Sequence, residues 1–290
     1  MNVVAPRRTV AQSLTGIWRY RELLLNLVRK ELKVRYKNSS LGFIWSMLNP
    51  AMYLVVFYVV FQLVLKAGIP YFAVFLLSGL LAWNLFSASL AGAAGSITGN
   101  APLVNKVYFP REILPLASVG ANCVHFALQG VVLIGALVAF RFDVDWGYVW
   151  LVVPAVLALL LITSAAAIFL AAANVYARDT QHFLELALLA WFWMTPIVYP
   201  VPFVLTRVSP LLAKLYFLNP MNAVVLAFQR AIYGPVDAHA IASGQSPVLP
   251  DAGLGWYLTK LGSVGAASLV LLVVAWAIFR RLESRVAEEL

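Results

Sequence analysis

The chain has 290 residues, of which 62% are hydrophobic and only 11% charged, a composition outside the range of soluble globular domains. Its formal charge of +9 lies mostly beside the apolar runs, so it reads as a topology signal and an attraction to anionic headgroups, and a nucleic-acid partner is set aside. A single cysteine, Cys123, excludes an intrachain disulfide and a thiolate metal cage, and the three histidines are scattered.

The first 39 residues form a basic tail carrying Arg7, Arg8, Arg19, Arg21, Arg29, Lys30, Lys33, Arg35 and Lys37, which places the N-terminus in the cytoplasm. Arg7-Arg8 is not followed by the short apolar core of an export signal, so no cleaved leader is expected. Between Leu14 and Lys37, Leu14, Trp18, Leu25, Val28 and Leu32 share one helical face, with Arg19, Lys30, Lys33 and Lys37 opposite and Arg21 interrupting the stripe. This pattern predicts an amphipathic helix lying at the interface; the plainer alternative is a basic segment that only fixes topology.

Six apolar runs follow: Leu41–Leu65, Tyr71–Ala94, Ile113–Phe140, Trp150–Tyr176, Leu186–Tyr199 and Tyr257–Phe279. A hydrocarbon core of roughly 30 Å needs about 20 apolar residues per helix, and the runs show no strict alternation, so helices are expected and a β-barrel is not. The fifth run is short. With six crossings the C-terminus returns to the cytoplasm, where Arg280, Arg281 and Arg285 flank the last run.

Tyr53, Phe57 and Phe61 recur along one face of the first run, and Phe72, Phe75, Trp83 and Phe86 along the second. Rings at helical spacing are usually packing or interfacial anchors; the alternative is a channel lining on which the C–H faces of sugars slide. Ser87, Ala91, Gly95 and Gly99 recur every four residues and predict close helix packing. On the third run Ser118, Asn122, His125 and Gln129 share a face, read chiefly as interhelical hydrogen bonding and secondarily as pore lining.

The loop from Asn100 to Pro115 mixes Val107, Tyr108 and Phe109 with Lys106 and an Arg111-Glu112 pair. Such residues sit poorly in bare water and call for a partner surface. After Tyr199, Pro200, Pro202, Pro210 and Pro220 break the apolar sequence into short half-helices, which can be re-entrant or interfacial. Ala238 to Gly255 reads as an exposed loop with no chemistry.

The chain has no Gly-Lys pair and hence no P-loop, no H-E-x-x-H and no Gly-x-Ser-x-Gly, so it is not expected to be an enzyme or its own motor. The runs hold almost no carboxylate, which disfavours a secondary transporter, and no acidic cluster supports an enzyme acting on lipid-linked sugars.

The segment Lys106-Val-Tyr-Phe-Pro-Arg-Glu-Ile-Leu-Pro115 resembles the signature loop of type-2 ABC exporter permeases, the polysaccharide and O-antigen exporters in particular. Lys33-Val-Arg-Tyr-Lys37, Ser40-Leu-Gly-Phe-Ile-Trp-Ser-Met-Leu-Asn-Pro50, Asn174-Val-Tyr-Ala-Arg-Asp179 and Leu218-Asn-Pro-Met221 follow the same family pattern in the same order, over residues 14–280. The resemblance implies an all-α integral membrane protein: a cytoplasmic tail (1–39) bearing an interface helix, a six-helix domain (40–280) with outer gate helices at 200–235, and a cytoplasmic tail (281–290). It further implies a homodimer around a channel in the bacterial inner membrane. Two copies of a separate P-loop ATPase, which binds ATP and Mg, would dock beneath it. Asn105, Lys106, Val107, Tyr108, Phe109, Pro110, Arg111 and Glu112 would form the coupling helix, with Arg178 and Asp179 as secondary contacts. The implied substrate is a lipid-linked glycan such as O-antigen, capsule or teichoic acid; related permeases for small molecules are the alternative.

Overall fold

The computed structural model describes residues 18–37, 45–66, 68–107, 109–139, 141–242, 244 and 247–289. Within them the chain is helical throughout, with no strand. Apolar segments in lipid must satisfy their backbone internally, and Leu- and Ala-rich runs do this at little conformational cost as helices.

The helices are α1 (Arg21–Tyr36), α2 (Trp45–Tyr58), α3 (Phe72–Ala94), α4 (Ala101–Lys106), α5 (Ile113–Ala139), α6 (Val152–Tyr176), α7 (Thr180–Trp193), α8 (Val201–Leu205), α9 (Pro210–Tyr216), α10 (Pro220–Ala242) and α11 (Leu254–Glu289). Among the described residues four segments are long and apolar enough to cross a membrane: Phe72–Ala94, Ile113–Gly135, Val149–Tyr176 and Leu254–Leu282. Pro210–Tyr216 and Pro220–His239 make a fifth if taken together, but they are bent by 80°.

The second, third and fourth expected runs coincide with α3, α5 and α6 to within a residue or two. The first is shorter in its described part. α2 loosens into a π-helix over Val59–Val64, where the Leu65 N–H reaches back five residues to the Val60 carbonyl. Residues 41–44 lie outside the described part. The fifth run is displaced: α7 begins at Thr180 and ends at Trp193, before Thr195-Pro196. Its 14 residues span about 21 Å, less than the roughly 30 Å core. α11 has 36 residues and is about 54 Å long, so the expected C-terminal tail is the continuation of this helix.

The largest departure follows Tyr199. α8 and α9 are the expected short pieces, but α10 is a 23-residue helix buried on nearly every side. Met221, Val224, Val225, Leu226, Ala227, Ala231 and Tyr233 are all fully enclosed. The start of α10 explains the Leu218-Asn-Pro-Met221 sequence. Pro220 opens the helix, Asn219 Oδ1 accepts from the Met221 N–H (3.0 Å) and from Trp191 Nε1 (2.8 Å), and its amide donates to the Met194 carbonyl (3.2 Å). One asparagine thus caps α10 and ties it to the end of α7.

Ala238 to Gly255 is largely exposed as expected, but it is not simply a loop. α10 continues to Ala242, and the carboxylate of Asp237, 2% exposed, accepts from the Val248 N–H (2.6 Å) and the Leu249 N–H (3.3 Å). Val248 and Leu249 are buried as a result.

The helices enclose two apolar clusters. The larger joins α3, α6 and α10; the smaller lies at the basic end of the bundle around Leu27, Val104, Phe109, Ile113, Trp276 and Phe279. At the opposite end Tyr233 donates to the Pro70 carbonyl (2.8 Å), and the Arg230 guanidinium lies 4.2 Å from the centroid of the Tyr148 ring.

Candidate functional site

A cavity of ≈ 810 Å³ opens between α2, α3, α5 and α7. Its aromatic wall is Tyr53, Phe57, Trp83, Phe126, Phe192 and Trp193, and its polar wall includes Asn84, Asn122, His125 and Gln129. The polar residues of α5 recur at steps of three and four, which puts them on one stripe of the helix. Asn84 Nδ2 donates to Gln129 Oε1 (3.3 Å) across α3 and α5. The same stripe therefore serves both readings offered by its spacing: it bonds between helices and faces the cavity.

The seven aromatics singled out in the sequence fall into one continuous chain of ring contacts. Tyr53 stacks on Phe57 (5.9 Å between centroids), and Phe57 meets Phe61, Phe192 and Trp193. Phe61 stacks on Phe72, Phe72 meets Phe75, and Trp83 meets Phe86 and Phe192. Only Tyr53, Phe57 and Trp83 of the seven border the cavity. Phe72, Phe75 and Phe86 are enclosed in the core, because α3 is surrounded by α5, α6, α10 and α7 and has little free face. Phe126, Phe192, Trp193 and Asn84 had no role in the sequence reading. Asn84, a polar residue deep in an apolar run, is the signal that was available.

At the basic end the expected interface helix forms from Arg21 to Tyr36. Its buried side is Tyr20, Leu23, Leu24, Leu27 and Val28, packed against the smaller cluster. The expected stripe is divided: Trp18 and Leu25 are exposed, Leu32 is half-buried, and Val28 alone packs closely inward. The reason is contact with α5. A Cβ at Gly120 would lie 2.9 Å from Val28 Cγ2, so this glycine lets the two helices approach. Similarly, a Cβ at Gly92 on α3 would collide with Ser118 Oγ, and one at Gly95 would meet Gln181 Nε2. Burial pushes the Glu31 carboxyl up from its ordinary range, against the opposing pull of Arg35 and Lys30.

The loop expected to be a helix over Asn105–Glu112 takes a different register. A short 3₁₀ turn at Thr98–Asn100 leads into α4, which ends at Lys106, and Val107 is already extended. Asn105, Lys106 and Val107 are exposed at the tip, while Pro110 and Arg111 are half-buried. Tyr108 lies outside the described residues. Phe109 and Glu112 point inward, each 3% exposed, and Trp276 Nε1 of α11 donates to Glu112 Oε1 (2.9 Å). α1 supports the loop through Lys30 Nζ, which donates to Asn100 Oδ1 (2.6 Å). Arg178 and Asp179 are exposed in the turn between α6 and α7. Nearby, Tyr176 donates to the Leu282 carbonyl (2.7 Å), joining α6 to α11.

A chain of membrane-length helices with an aromatic and amide-lined cavity, and a basic end built from an amphipathic helix and a short helical loop, is a membrane permease in architecture. The family model described as ABC-2 type transporter matches residues 22–233, and the chain belongs to that family of multi-pass membrane components. Two O-antigen export permeases are similar over almost their whole length. The O-antigen export system permease protein RfbA of Myxococcus xanthus is 35% identical over 274 residues, which cover 94% of this chain and 97% of the relative. A Klebsiella pneumoniae protein of the same name is 28% identical over 268 residues, 92% of this chain and 94% of the relative. The polysialic acid transport protein KpsM of Escherichia coli is more distant, at 22% identity over 60% of this chain and 69% of its own.

Proposed function

We propose that this chain is the permease subunit of an ABC exporter that moves a lipid-linked polysaccharide of the O-antigen type across the bacterial inner membrane. The observation that carries this reading is the 35% identity to an O-antigen export permease over 94% of the chain. Two copies of the chain form the channel, and two copies of a separate P-loop ATPase supply the motion by hydrolysing Mg-ATP.

In this reading both termini are cytoplasmic, and the basic end of the bundle faces the ATPase. The six crossings are α2 with its π-helical end, α3, α5, α6, α7 and α11, with α8 to α10 as the outer gate; the 80° break between α9 and α10 favours a re-entrant form. Asn105, Lys106, Val107 and Arg111 present the surface that meets the ATPase, with Arg178 and Asp179 beside it. Phe109 and Glu112 act from behind, anchoring that loop to the smaller core. Rigid-body movement of the loop is then passed to α5 and α11. Tyr53, Phe57 and Trp83 offer stacking faces to sugars without demanding one hydrogen-bond pattern, which suits a polymer in motion.

The test is gentle purification from native membranes. The reading expects a P-loop ATPase to co-elute at one copy per copy of this chain, and deletion of the chain to leave its glycan inside the cell. A stable complex that transports without any ATPase or ATP overturns it in favour of a secondary carrier.

A further inference from the structure

The cavity contains a cation that stacking on sugars does not require. Arg35, near the end of α1, borders it and donates from Nη1 to Asn122 Oδ1 at 3.1 Å. Asn122 is 2% exposed and is held in place because its own amide donates to the Ser118 carbonyl (3.0 Å). His125, 7% exposed, follows along the same stripe, close enough to feel the charge of Arg35. The three side chains come from two helices and converge on one wall.

At 1.5 Å per residue, Asn122 lies about 14 Å along α5 from Ile113. Arg35 itself is exposed where α1 borders the cavity, so its guanidinium stays open to a ligand while Asn122 beneath it is buried. Its bond to Asn122 occupies one of five donors and leaves a planar fork. Among the described residues no carboxylate pairs with it within 4 Å: Glu31 acts on it only at longer range, and Glu185 is exposed on α7 across the cavity. A planar fork beside a fixed amide and an imidazole matches the oxygens of a phosphate group.

We propose that Arg35, Asn122 and His125 form an anion subsite that holds the phosphate linking a glycan to its lipid carrier, next to the rings that receive the sugars. This assignment rests on the lipid-linked-glycan reading above. The same chemistry would also accept a soluble phosphate, so the test separates the two sources.

The protein is purified with whatever subunits accompany it and placed in nanodiscs of neutral phosphatidylcholine. Binding of labelled farnesyl diphosphate is then measured in competition with farnesol and with inorganic diphosphate. The expected result is at least a tenfold preference for farnesyl diphosphate over farnesol, with inorganic diphosphate competing weakly. Arg35→Gln erases the preference and Arg35→Lys keeps part of it. Asn122→Asp, which places a carboxylate against the guanidinium, also erases it. Equal binding of diphosphate and alcohol, or a preference that survives Arg35→Gln, overturns the subsite. Competition by inorganic diphosphate as strong as by the lipid form overturns the lipid source. An Arg35-dependent preference in a protein without an ATPase leaves the subsite standing and removes the export reading; an ATPase-bound complex with no such preference does the reverse.

Discussion

Glu112 was expected to face an ATPase and instead turns inward onto Trp276, a difference that a double-mutant cycle measures directly. Trp276→Phe keeps a buried aromatic ring in the smaller cluster and removes the Nε1–H that Glu112 Oε1 accepts at 2.9 Å, inside a pocket where Glu112 is 3% exposed. A hydrogen bond to a charged group contributes about 1.5–3 kcal/mol net, and orphaning a buried acceptor is at the upper end of that range. Trp276→Phe is therefore expected to destabilise the protein by about 2–3 kcal/mol. Glu112→Gln, which keeps an acceptor oxygen, is expected to cost about 1 kcal/mol. Since both substitutions act on one bond, the double variant should fall short of their sum by at least about 1 kcal/mol. Denaturation of the purified protein in mixed micelles, followed by circular dichroism, gives the four values. Additivity within about 0.5 kcal/mol refutes the inward bond. So does a Glu112→Gln variant of unchanged stability that has lost its ATPase, since that outcome describes a residue on the docking surface.

Four further outcomes follow from the same geometry. Gly120→Ala should push α1 off α5 and cost about 1–3 kcal/mol, with Val28→Ala restoring much of the loss; accessibility of Lys30 to an amine-reactive reagent reports the docking. Asp237→Ala should leave the buried Val248 and Leu249 N–H groups without acceptors at about 1–3 kcal/mol each, seen as faster amide exchange at those two residues and protease cleavage near Gly244. Trp83→Ala, at the buried part of the cavity wall beside Phe86 and Phe192, should cost about 3–5 kcal/mol, whereas Tyr53→Ala on the open wall should leave stability within about 1 kcal/mol and slow glycan export. Because burial raises the Glu31 carboxyl above its ordinary 4.5, the folded state binds more protons than the unfolded one. Docking of α1 should then weaken as pH rises through and beyond that value, and Glu31→Gln should abolish this dependence in the same Lys30-accessibility assay.

The mid-chain spans were legible from sequence because long apolar runs bounded by charge leave the backbone no choice in lipid but to close its own hydrogen bonds. α3, α5 and α6 match their runs for that reason. α10 was hidden for a related one: Pro220, Gln229, Arg230, Pro235 and Asp237 lower its apparent continuity, yet the three polar ones are accommodated by partners outside the helix. Gln229 donates to the Pro196 carbonyl (2.9 Å), Arg230 lies over Tyr148, and Asp237 holds two backbone amides. Such partners are distant in sequence and invisible to local pattern.

The sequence by itself determined the class of the molecule, because composition decides the solvent, run length the spans, and the ordered motifs from Lys33 to Met221 the family. It also brought out the polar stripe of α5 and the aromatic steps of α2 and α3. What only the tertiary structure decided is which side each residue faces. A helical wheel identifies a face but not the neighbour it meets, so Phe72, Phe75 and Phe86 went to the core while Tyr53 and Trp83 came to the cavity. For the same reason Arg35, which reads in sequence as one more tail charge, emerged against Asn122 only when α1 was laid along α5.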